Sequence, residues 1–372
     1  RSRAKRAVFA ASSPGVVTAR DEWVVGLSAE QVAERMAFFA EFYHRYEQQG
    51  DEYDTTIKWS EALKLRYGKG IREDFNERWI IRYSYRPFVQ RWLYRSDLFI
   101  DRLGCTDVFD SINVAVAFTN PASTKPFSAL ASGAPIDFHL TGDTQYVPRY
   151  TYDEHGTRVD NVTDWAVEQF TERYGDDLAD AGTGLPAPLD PDAPADVRDV
   201  IFYYVYAVLH HPAYREKYAL NLKREFPRIP LYDDLARWSA WGQRLLTLHV
   251  GYEAVEPYPL ERVDCQTSPD NAPQPKLKAE PDAGEIILDT ATTLTGVPPV
   301  AWAYRLGNRS AIEWVLEYHK ERKPRDPTIR AKFDTYRFAD HKERVIDLLR
   351  RVVTVSVETM AIVDQMRAIE TV

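Results

Sequence analysis

Residues 82–95 read RYSYRPFVQRWLYR, and this stretch decides what fold to expect in the first half of the chain. Side chains alternate with a period of two on both sides of Pro87, which is typical of two neighbouring strands, since successive side chains of a strand point to opposite faces. The alternation continues, interrupted by prolines and glycines, to about residue 152 and predicts several strands joined by loops. It also places four arginines on faces that one partner could contact: Arg82, Arg86, Arg91 and Arg95.

Helical spacing predicts helices on both sides of this β-rich unit. Ser28 and Gln31 resemble a capping box at the start of a helix over about residues 28–49, and a second, basic helix is expected over 57–67. The later predicted elements are a helical region at 196–252, strand-like runs at 276–279, 285–288 and 300–304, and helices at about 308–320 and 339–368. The expected fold is α+β, with a β-rich first half, a central helical bundle and a smaller second sheet with C-terminal helices.

Charge is distributed in blocks along the chain. The 372 residues contain 47 Lys and Arg against 56 Asp and Glu, and the net charge of −9 argues against a uniformly basic coat for nucleic acid. Residues 151–200 alone have a net charge of −10, whereas residues 55–102 and 302–351 each have +5. Such blocks are usually solvated faces, but aromatic residues interleaved with the bases favour a binding surface.

The sequence contains no pattern that indicates a membrane segment or a catalytic centre. The longest apolar run, residues 200–209, is half of the length that a membrane span needs, and no signal-peptide pattern is present, so we expect a cytoplasmic protein without a membrane partner. Cys105 and Cys265 have no second Cys or His at ligand spacing, which argues against a zinc site or a disulfide framework. Phosphate-loop, HExxH and GxSxG motifs are also missing, so no catalytic residue, metal or cofactor is predicted in this chain.

The candidate functional residues are basic. Arginine forks suit phosphate oxygens and guanine edges, so the four arginines of residues 82–95 are candidate DNA contacts. Lys58 and Lys64 of the predicted basic helix extend the set, as do Arg305, Asn308 and Arg309, which stand where a strand leads into a helix N-terminus. A simpler alternative remains for each group: the arginines form a solvated face opposite an aromatic core, and Asn308 is an ordinary N-cap.

Six stretches of the chain carry a resemblance to a known family. They are GVVTARDEWV at 15–24, IKWS at 57–60, YRPF at 85–88 with LY at 93–94, QYVPRY at 145–150, YRLGNRSAIEWV at 304–315 and LLRRVVTVSVET at 348–359. The last two are the most specific, because short motifs cannot imitate matches of that length. Together they are similar to the C-terminal part of the large bacterial Type ISP restriction-modification enzymes and of related helicase–methyltransferase fusion proteins.

The resemblance implies a function for most of the chain. In that family this region follows an N6-adenine methyltransferase domain and acts as the target recognition domain, in contact with double-stranded DNA. We therefore expect a sequence-specific DNA recognition module of a phage-defence enzyme, with methyltransferase and helicase or nuclease domains as partners in the same polypeptide. S-adenosylmethionine is expected in the methyltransferase domain, whose motifs are missing here, so the chain looks like a fragment cut after that domain.

The element pattern and the resemblance together suggest five segments. They are an N-terminal helical connector at 1–56, a β-rich recognition part at 57–180, an acidic Pro/Gly linker at 181–195, a helical part at 196–255, and a small sheet plus C-terminal helices at 256–372. Two other functions remain open at this point. One is a protein-interaction domain that docks motor or nuclease domains, and the other is a stand-alone DNA-modifying enzyme.

Overall fold

The structure is a computed structural model that describes residues 6–48, 52–175, 177–178, 196–265, 272–333 and 335–369. Helices account for 41% and strands for 20%, in several small sheets, which confirms the predicted α+β class. The predicted acidic linker at 181–195 lies outside the described residues, and the division into five segments stays a prediction.

The helices occur in three groups along the chain. The first group is α1 (Asp21–Val24), α2 (Ala29–Arg45) and α3 (Glu61–Gly68). The second group is α4 (Asp164–Tyr174), α5 (Val197–His210), α6 (Pro212–Lys217), α7 (Ala219–Leu222) and α8 (Leu235–Val250). The third group is α9 (Pro299–Ala303), α10 (Ala311–Tyr318), α11 (Pro327–Lys332) and α12 (Phe338–Arg367).

The strands pair antiparallel in small sheets. In the first part of the chain they are β1 (Ser13–Pro14), β2 (Val25–Gly26), β3 (Ile80–Arg86), β4 (Val89–Tyr94), β5 (Ala115–Thr119), β6 (Ala129–Ser132), β7 (Thr144–Pro148), β8 (Tyr150–Tyr152) and β9 (Arg158–Asp160). After α8 come β10 (Glu261–Asp264), β11 (Pro275–Glu280), β12 (Glu285–Asp289), β13 (Thr292–Thr295), β14 (Arg305–Leu306) and β15 (Arg309–Ser310). The strand orders are β2-β4-β3, β1-β7-β5-β6 and β10-β13-β12-β11, with β8-β9 and β14-β15 as two-stranded hairpins.

Two hydrophobic clusters form the core. In the smaller one, Phe99 makes ring contacts with Phe39 and Tyr43 of α2 and with Tyr94 of β4, and Ile329 of α11 joins from the far end of the sequence. Each fully buried side chain of this size stabilises the fold by roughly 1.5–3 kcal/mol relative to exposure. The smaller cluster therefore ties the last third of the chain to the first.

The larger cluster surrounds α5, whose residues 199–210 are all buried. Helix α5 crosses α8 at Gly242, where a Cβ atom would lie 1.7 Å from the carbonyl oxygen of Tyr203. Only glycine permits this close approach, because any side chain would force the two helices apart. The predicted central helical region is thus built on one tight helix crossing.

Several element boundaries differ from the sequence-based prediction for local reasons. Ser28 does cap α2 through the backbone N–H of Gln31, but the Gln31 side chain accepts from the N–H of Leu27, so the reciprocal half of a capping box is not made. Residues 300–304 were expected to be extended, but residues 300–303 belong to helix α9, because Pro299 at its first position favours a helix start, and only Tyr304 is extended. Helix α10 begins later than predicted, since residues 305–310 form the β14–β15 hairpin.

Candidate nucleic-acid interface

A cleft of about 870 Å³ lies between residues 16–35, which with Lys58 we call the N-terminal unit, and a segment that follows α10 late in the chain. We call it the basic cleft, and we call residues 319–333, which follow α10 and include α11, the strap. Eight cations and five carboxylates are among the side chains that line the cleft. Its cations are Arg20, Arg35, Lys58, Arg91, Lys320, Arg322, Lys323 and Arg325, and its carboxylates are those of Asp21, Glu22, Asp137, Glu317 and Asp326.

Three cations of the basic cleft are exposed and unpaired. The side chains of Lys58, Lys323 and Arg325 make no hydrogen bond or ion pair with any residue that the structure describes. In contrast, Lys320 and Arg322 both contact the carboxylate of Glu317, which lies 2.9 Å from the Lys320 Nζ. The three unpaired cations are therefore the ones most available to phosphate oxygens.

Two carboxylates of the same cleft, those of Asp21 and Glu22, accept hydrogen bonds from neutral donors. Asp21 accepts from the Tyr85 hydroxyl at 2.8 Å. Glu22 accepts from the backbone N–H groups of Arg325 and Asp326, both at 2.8 Å. Because these donors carry no charge, the acids are held in place without neutralising the unpaired cations, and the cleft keeps an excess of positive charge.

The strap is anchored to the N-terminal unit at its middle. The Trp23 indole donates its Nε1–H to Asp326 at 2.7 Å, and the carboxylate of Asp326 also caps α11 by accepting from Thr328 and Ile329. Farther along the strap, the Phe333 ring packs edge-on against the Trp23 ring, with centroids 6.0 Å apart. These contacts fix the side of the cleft that carries Lys320 to Arg325.

A buried polar network lies beneath the cleft. Backbone hydrogen bonds between Ser84 of β3 and the segment around Asp137 bring that carboxylate next to Arg86. Arg86 donates from Nη1 to Asp137 at 2.7 Å and from Nε to the Tyr318 hydroxyl at 3.0 Å, and the Tyr83 hydroxyl donates to the other Asp137 oxygen at 2.6 Å. Burial lowers the pKa of Arg86, but Asp137, Tyr85 and Tyr318 together more than offset this, so the pKa of Arg86 lies above the ordinary value and the guanidinium stays charged.

The predicted exposed face of four strand arginines is wrong for Arg86. Only 7% of this residue is exposed. The pairing of β3 with β4 shifts register between Ser84 and Arg86, and Tyr318 at the end of α10 covers the guanidinium. A bulge and a covering helix are tertiary features, which strand alternation alone does not reveal.

The other three strand arginines lie apart from one another. Arg91 is half-buried and reaches the wall of the basic cleft, whereas Arg82 pairs with Glu253 at 2.8 Å and Arg95 pairs with Asp110, and neither of these two lines the cleft. Ion pairs at the surface are weak, so Arg82 and Arg95 could exchange their carboxylates for phosphates at little cost. Contact of these arginines with DNA stays a prediction.

The two candidate lysines have different surroundings. Lys58 precedes α3 and lines the basic cleft with an exposed, unpaired side chain. Lys64 lies within α3, pairs with Glu61 at 2.8 Å and stands over the ring of Tyr53. The structure therefore brings Lys58 and Arg91 together in one cleft, but not Lys64.

The candidates at the start of α10 belong to the β14–β15 hairpin. Ser310, not Asn308, is the N-cap of α10, and it forms a complete capping box with Glu313. The N-cap alternative for Asn308 is thus wrong, and Asn308 instead occupies the exposed turn of the hairpin. Because the Glu313 carboxylate already occupies this helix N-terminus, the expected anion site there is partly filled by the protein itself. Arg305 lies 3.6 Å from the same carboxylate.

Arg309 lies on a second basic groove of about 420 Å³ between β11 and α10. Lys276, Lys278 and Lys320 line the same groove. Because Lys320 lines both cavities, the second groove adjoins the basic cleft. DNA contact by Arg305, Asn308 and Arg309 stays a prediction.

Residue-by-residue reasoning from the sequence missed the strap. Its cations, Lys320, Arg322, Lys323 and Arg325, form part of the +5 block at 302–351, so the charge count detected the region but not these side chains. Arg35 of α2 was also missed, because its position on a helix facing the strap depends on tertiary contacts. The signal that was available was the run KERKPR at 320–325.

The described residues contain no group of three or more His, Cys, Asp or Glu side chains that could hold a metal ion. His210 is a core residue whose Nδ1–H donates to the carbonyl of Tyr206 at 2.9 Å, and burial lowers its pKa well below the ordinary value. Among the same residues, no helix has the length and apolar character required to cross a bilayer.

Known proteins resemble the chain over nearly its full length. The family model described as the Type ISP C-terminal specificity domain matches residues 7–348. A cryo-EM structure of a DrdV–DNA complex has 42% sequence identity and a TM-score of 0.88, and the match covers 99% of this chain and 37% of that one. A nuclease-deletion mutant of the Type ISP restriction-modification enzyme LlaGI, solved with a DNA substrate mimic, has 26% identity and a TM-score of 0.78, covering 97% and 33%.

A third structure shares the fold at lower identity. The ATP-dependent Type ISP restriction-modification enzyme LlaBIII, bound to DNA, has 22% identity and a TM-score of 0.77, covering 100% of this chain and 24% of that one. The comparison with curated proteins found no significant match. This chain thus spans between a quarter and about two fifths of the length of these solved chains.

Proposed function

Because the chain belongs to the Type ISP C-terminal specificity domain family, we propose that it recognises a specific sequence of double-stranded DNA as part of a restriction-modification enzyme. The observation that carries the proposal is the basic cleft, in which Lys58, Lys323 and Arg325 are unpaired while neighbouring acids are held by neutral donors. Two DNA-bound relatives with at least 26% identity support the same assignment.

The division of labour on this surface follows from side-chain chemistry. Unpaired lysines and arginines contact phosphates without regard to sequence and set the register of the domain on the duplex. Sequence is read by arginine guanidinium groups and side-chain amides that form paired hydrogen bonds with base edges. Suitable side chains are those of Gln31 and Arg35 in the cleft and of Arg82 and Arg95 outside it. The domain contributes the choice of site, while chemistry belongs to other parts of the enzyme.

The parent enzyme, we further propose, carries an N6-adenine methyltransferase domain that binds S-adenosylmethionine, together with helicase or nuclease domains. The family is one of restriction enzymes, and the resemblance in sequence supports this arrangement. Expression of the longer polypeptide and a test of its ability to methylate adenine in duplex DNA examine the proposal directly.

Selection from a pool of duplexes with a randomised central region tests the recognition function. We expect one enriched motif after selection at 50 mM salt, and a loss of affinity on the order of a thousandfold between about 50 and 200 mM salt if six to ten phosphates are contacted. The same selection with the longer polypeptide is the matched control for affinity lost with the other domains. Tight binding of both proteins with no preferred motif would contradict a specificity function.

A further inference from the structure

A smaller cavity of about 150 Å³ adjoins the basic cleft. It lies between β4, the turn after α8, and α12, and Arg91 lines both it and the cleft. The polar side chains that matter for its chemistry are Gln90, Arg91, Tyr252, Glu253, Arg344 and Asp347.

The carboxylates of this cavity are already paired. Glu253 lies 2.8 Å from Arg82, and Asp347 lies 2.7 Å from Arg351. Among the described residues, Arg91 and Arg344 have no carboxylate partner, and the Arg344 side chain has no hydrogen bond either. Two guanidinium groups thus contribute positive charge that nothing else in the lining neutralises.

Arg91 retains unused hydrogen-bond donors. Its Nη1 donates to the carbonyl of Gln90 at 2.9 Å and its Nη2 to the carbonyl of Tyr318 at 2.8 Å. A guanidinium has five N–H groups, so three remain. Burial lowers the pKa of Arg91 to about 10, which still leaves it charged at neutral pH, and a partly buried cation without a carboxylate partner favours binding of an anion.

Neutral groups around Arg91 can complete the shell of an oxyanion. The Tyr252 hydroxyl is buried and donates to no described acceptor. His319 does not compete as a charge, because its Nδ1–H donates to the carbonyl of Val315 at 2.7 Å and burial lowers its pKa to about 3. The cavity therefore offers two guanidiniums and a hydroxyl donor beside a neutral imidazole.

We infer that this cavity, built on Arg91 and Arg344, is a binding pocket for a phosphate group. The group comes either from the DNA backbone or from a free nucleotide, since both present the same tetrahedral oxyanion. The first source rests on the proposed function, because the duplex must lie along the basic cleft for one of its phosphates to reach Arg91. The second source is independent of it.

The first arm of the test uses the free anion. Isothermal titration of the chain with inorganic phosphate and with AMP, at constant ionic strength adjusted with chloride, should show binding by the wild type. Arg344→Gln should weaken that binding on the order of tenfold, since one charge-assisted hydrogen bond is lost. Arg344 is exposed and unpaired among the described residues, so this variant should fold normally. The matched control is Arg367→Gln on the same helix, whose arginine pairs with Asp364 at 2.6 Å and should leave phosphate binding unchanged.

The second arm uses duplex DNA and identifies the source. If the phosphate is that of the DNA backbone, Arg344→Gln should reduce the steepness of the plot of log duplex affinity against log salt by about one, without changing the selected motif. If it is that of a nucleotide, AMP should bind while Arg344→Gln leaves duplex binding unchanged. Binding of phosphate by a chain that binds no duplex would refute the recognition function but support the pocket. A wild type that binds duplex, but binds no phosphate or AMP and loses nothing on Arg344→Gln, would overturn the pocket alone.

Discussion

Removal of the three unpaired cations of the basic cleft should change how DNA binding depends on salt. The variant Lys58→Ala/Lys323→Ala/Arg325→Ala deletes positive charges that make no ion pair with described residues, so no carboxylate of the described fold is left uncompensated. Each side chain is exposed, and the backbone N–H of Arg325 that Glu22 accepts is retained in alanine. We therefore expect the variant to fold normally.

The magnitude follows from counterion release. Each phosphate contact contributes about −0.9 to the slope of log affinity against log salt, so three lost contacts reduce its steepness by about 2.7. Between 50 and 200 mM salt, this difference amounts to about 40-fold in affinity. The wild type should thus lose about 40 times more affinity than the variant over that range.

Fluorescence anisotropy with one cognate duplex at four salt concentrations measures the two slopes. The matched control is Arg237→Ala/Arg244→Ala/Arg367→Ala, which removes the same charge from exposed ion pairs outside the cleft lining. The control should keep the wild-type slope. Parallel salt plots for the wild type and the cleft variant, with both proteins folded, would refute the argument that the cleft binds phosphates.

Two predictions concern stability. Burial lowers the pKa of His249 and His319 to about 3. As the pH falls below about 6.5, the ordinary pKa of histidine, the unfolded state therefore binds protons that the folded state does not, and the stability present above that pH is progressively lost. In urea unfolding, the free energy of unfolding should fall by about 1.4 kcal/mol per histidine between pH 7.5 and 5.5, and His319→Gln should reduce this fall by about 1.4 kcal/mol. A pH dependence that His319→Gln leaves unchanged would contradict a neutral buried His319. Asp137→Asn leaves Arg86 charged and buried without its carboxylate and should lower the free energy of unfolding by about 3–5 kcal/mol. Asp110→Asn, in an exposed ion pair, should lower it by less than about 1 kcal/mol. Equal losses would show that the buried ion pair contributes no more to stability than the exposed one.

Local patterns in the sequence were sufficient for the elements that depend on local contacts. The cap at Ser28 and the apolar spacing after it place α2 within a few residues, and the alternation around Pro87 locates the β3–β4 pair. The β14–β15 hairpin was not predicted, and the predicted start of α10 at about residue 308 precedes its first residue, Ala311, because strand and helix signals overlap there.

The candidate site depends on contacts between distant parts of the chain, and these were not available from local patterns. Arg86 looks like an exposed strand residue until the segment around Asp137 pairs with β3 and Tyr318 covers it. Lys323 and Arg325 look like an ordinary charged loop until Glu22 accepts hydrogen bonds from the backbone N–H groups of Arg325 and Asp326. The charge block at 302–351 indicated where to search, but only the fold shows which side chains share a cleft.

The link between Glu22 and the strap, formed by two backbone hydrogen bonds to the Glu22 carboxylate, also sets an order of events during synthesis. Its two ends are separated by 304 residues, and at about 5–20 residues per second the ribosome needs about 15–60 s to make that stretch. Throughout this interval α1 and α2 exist without the strap, and Trp23 lacks the Phe333 ring and the Asp326 carboxylate that later contact it. The two walls of the cleft can therefore meet only after residues 325 and 326 have been synthesised, so the cations of the strap join Lys58 and Arg35 in one cleft only from that point on.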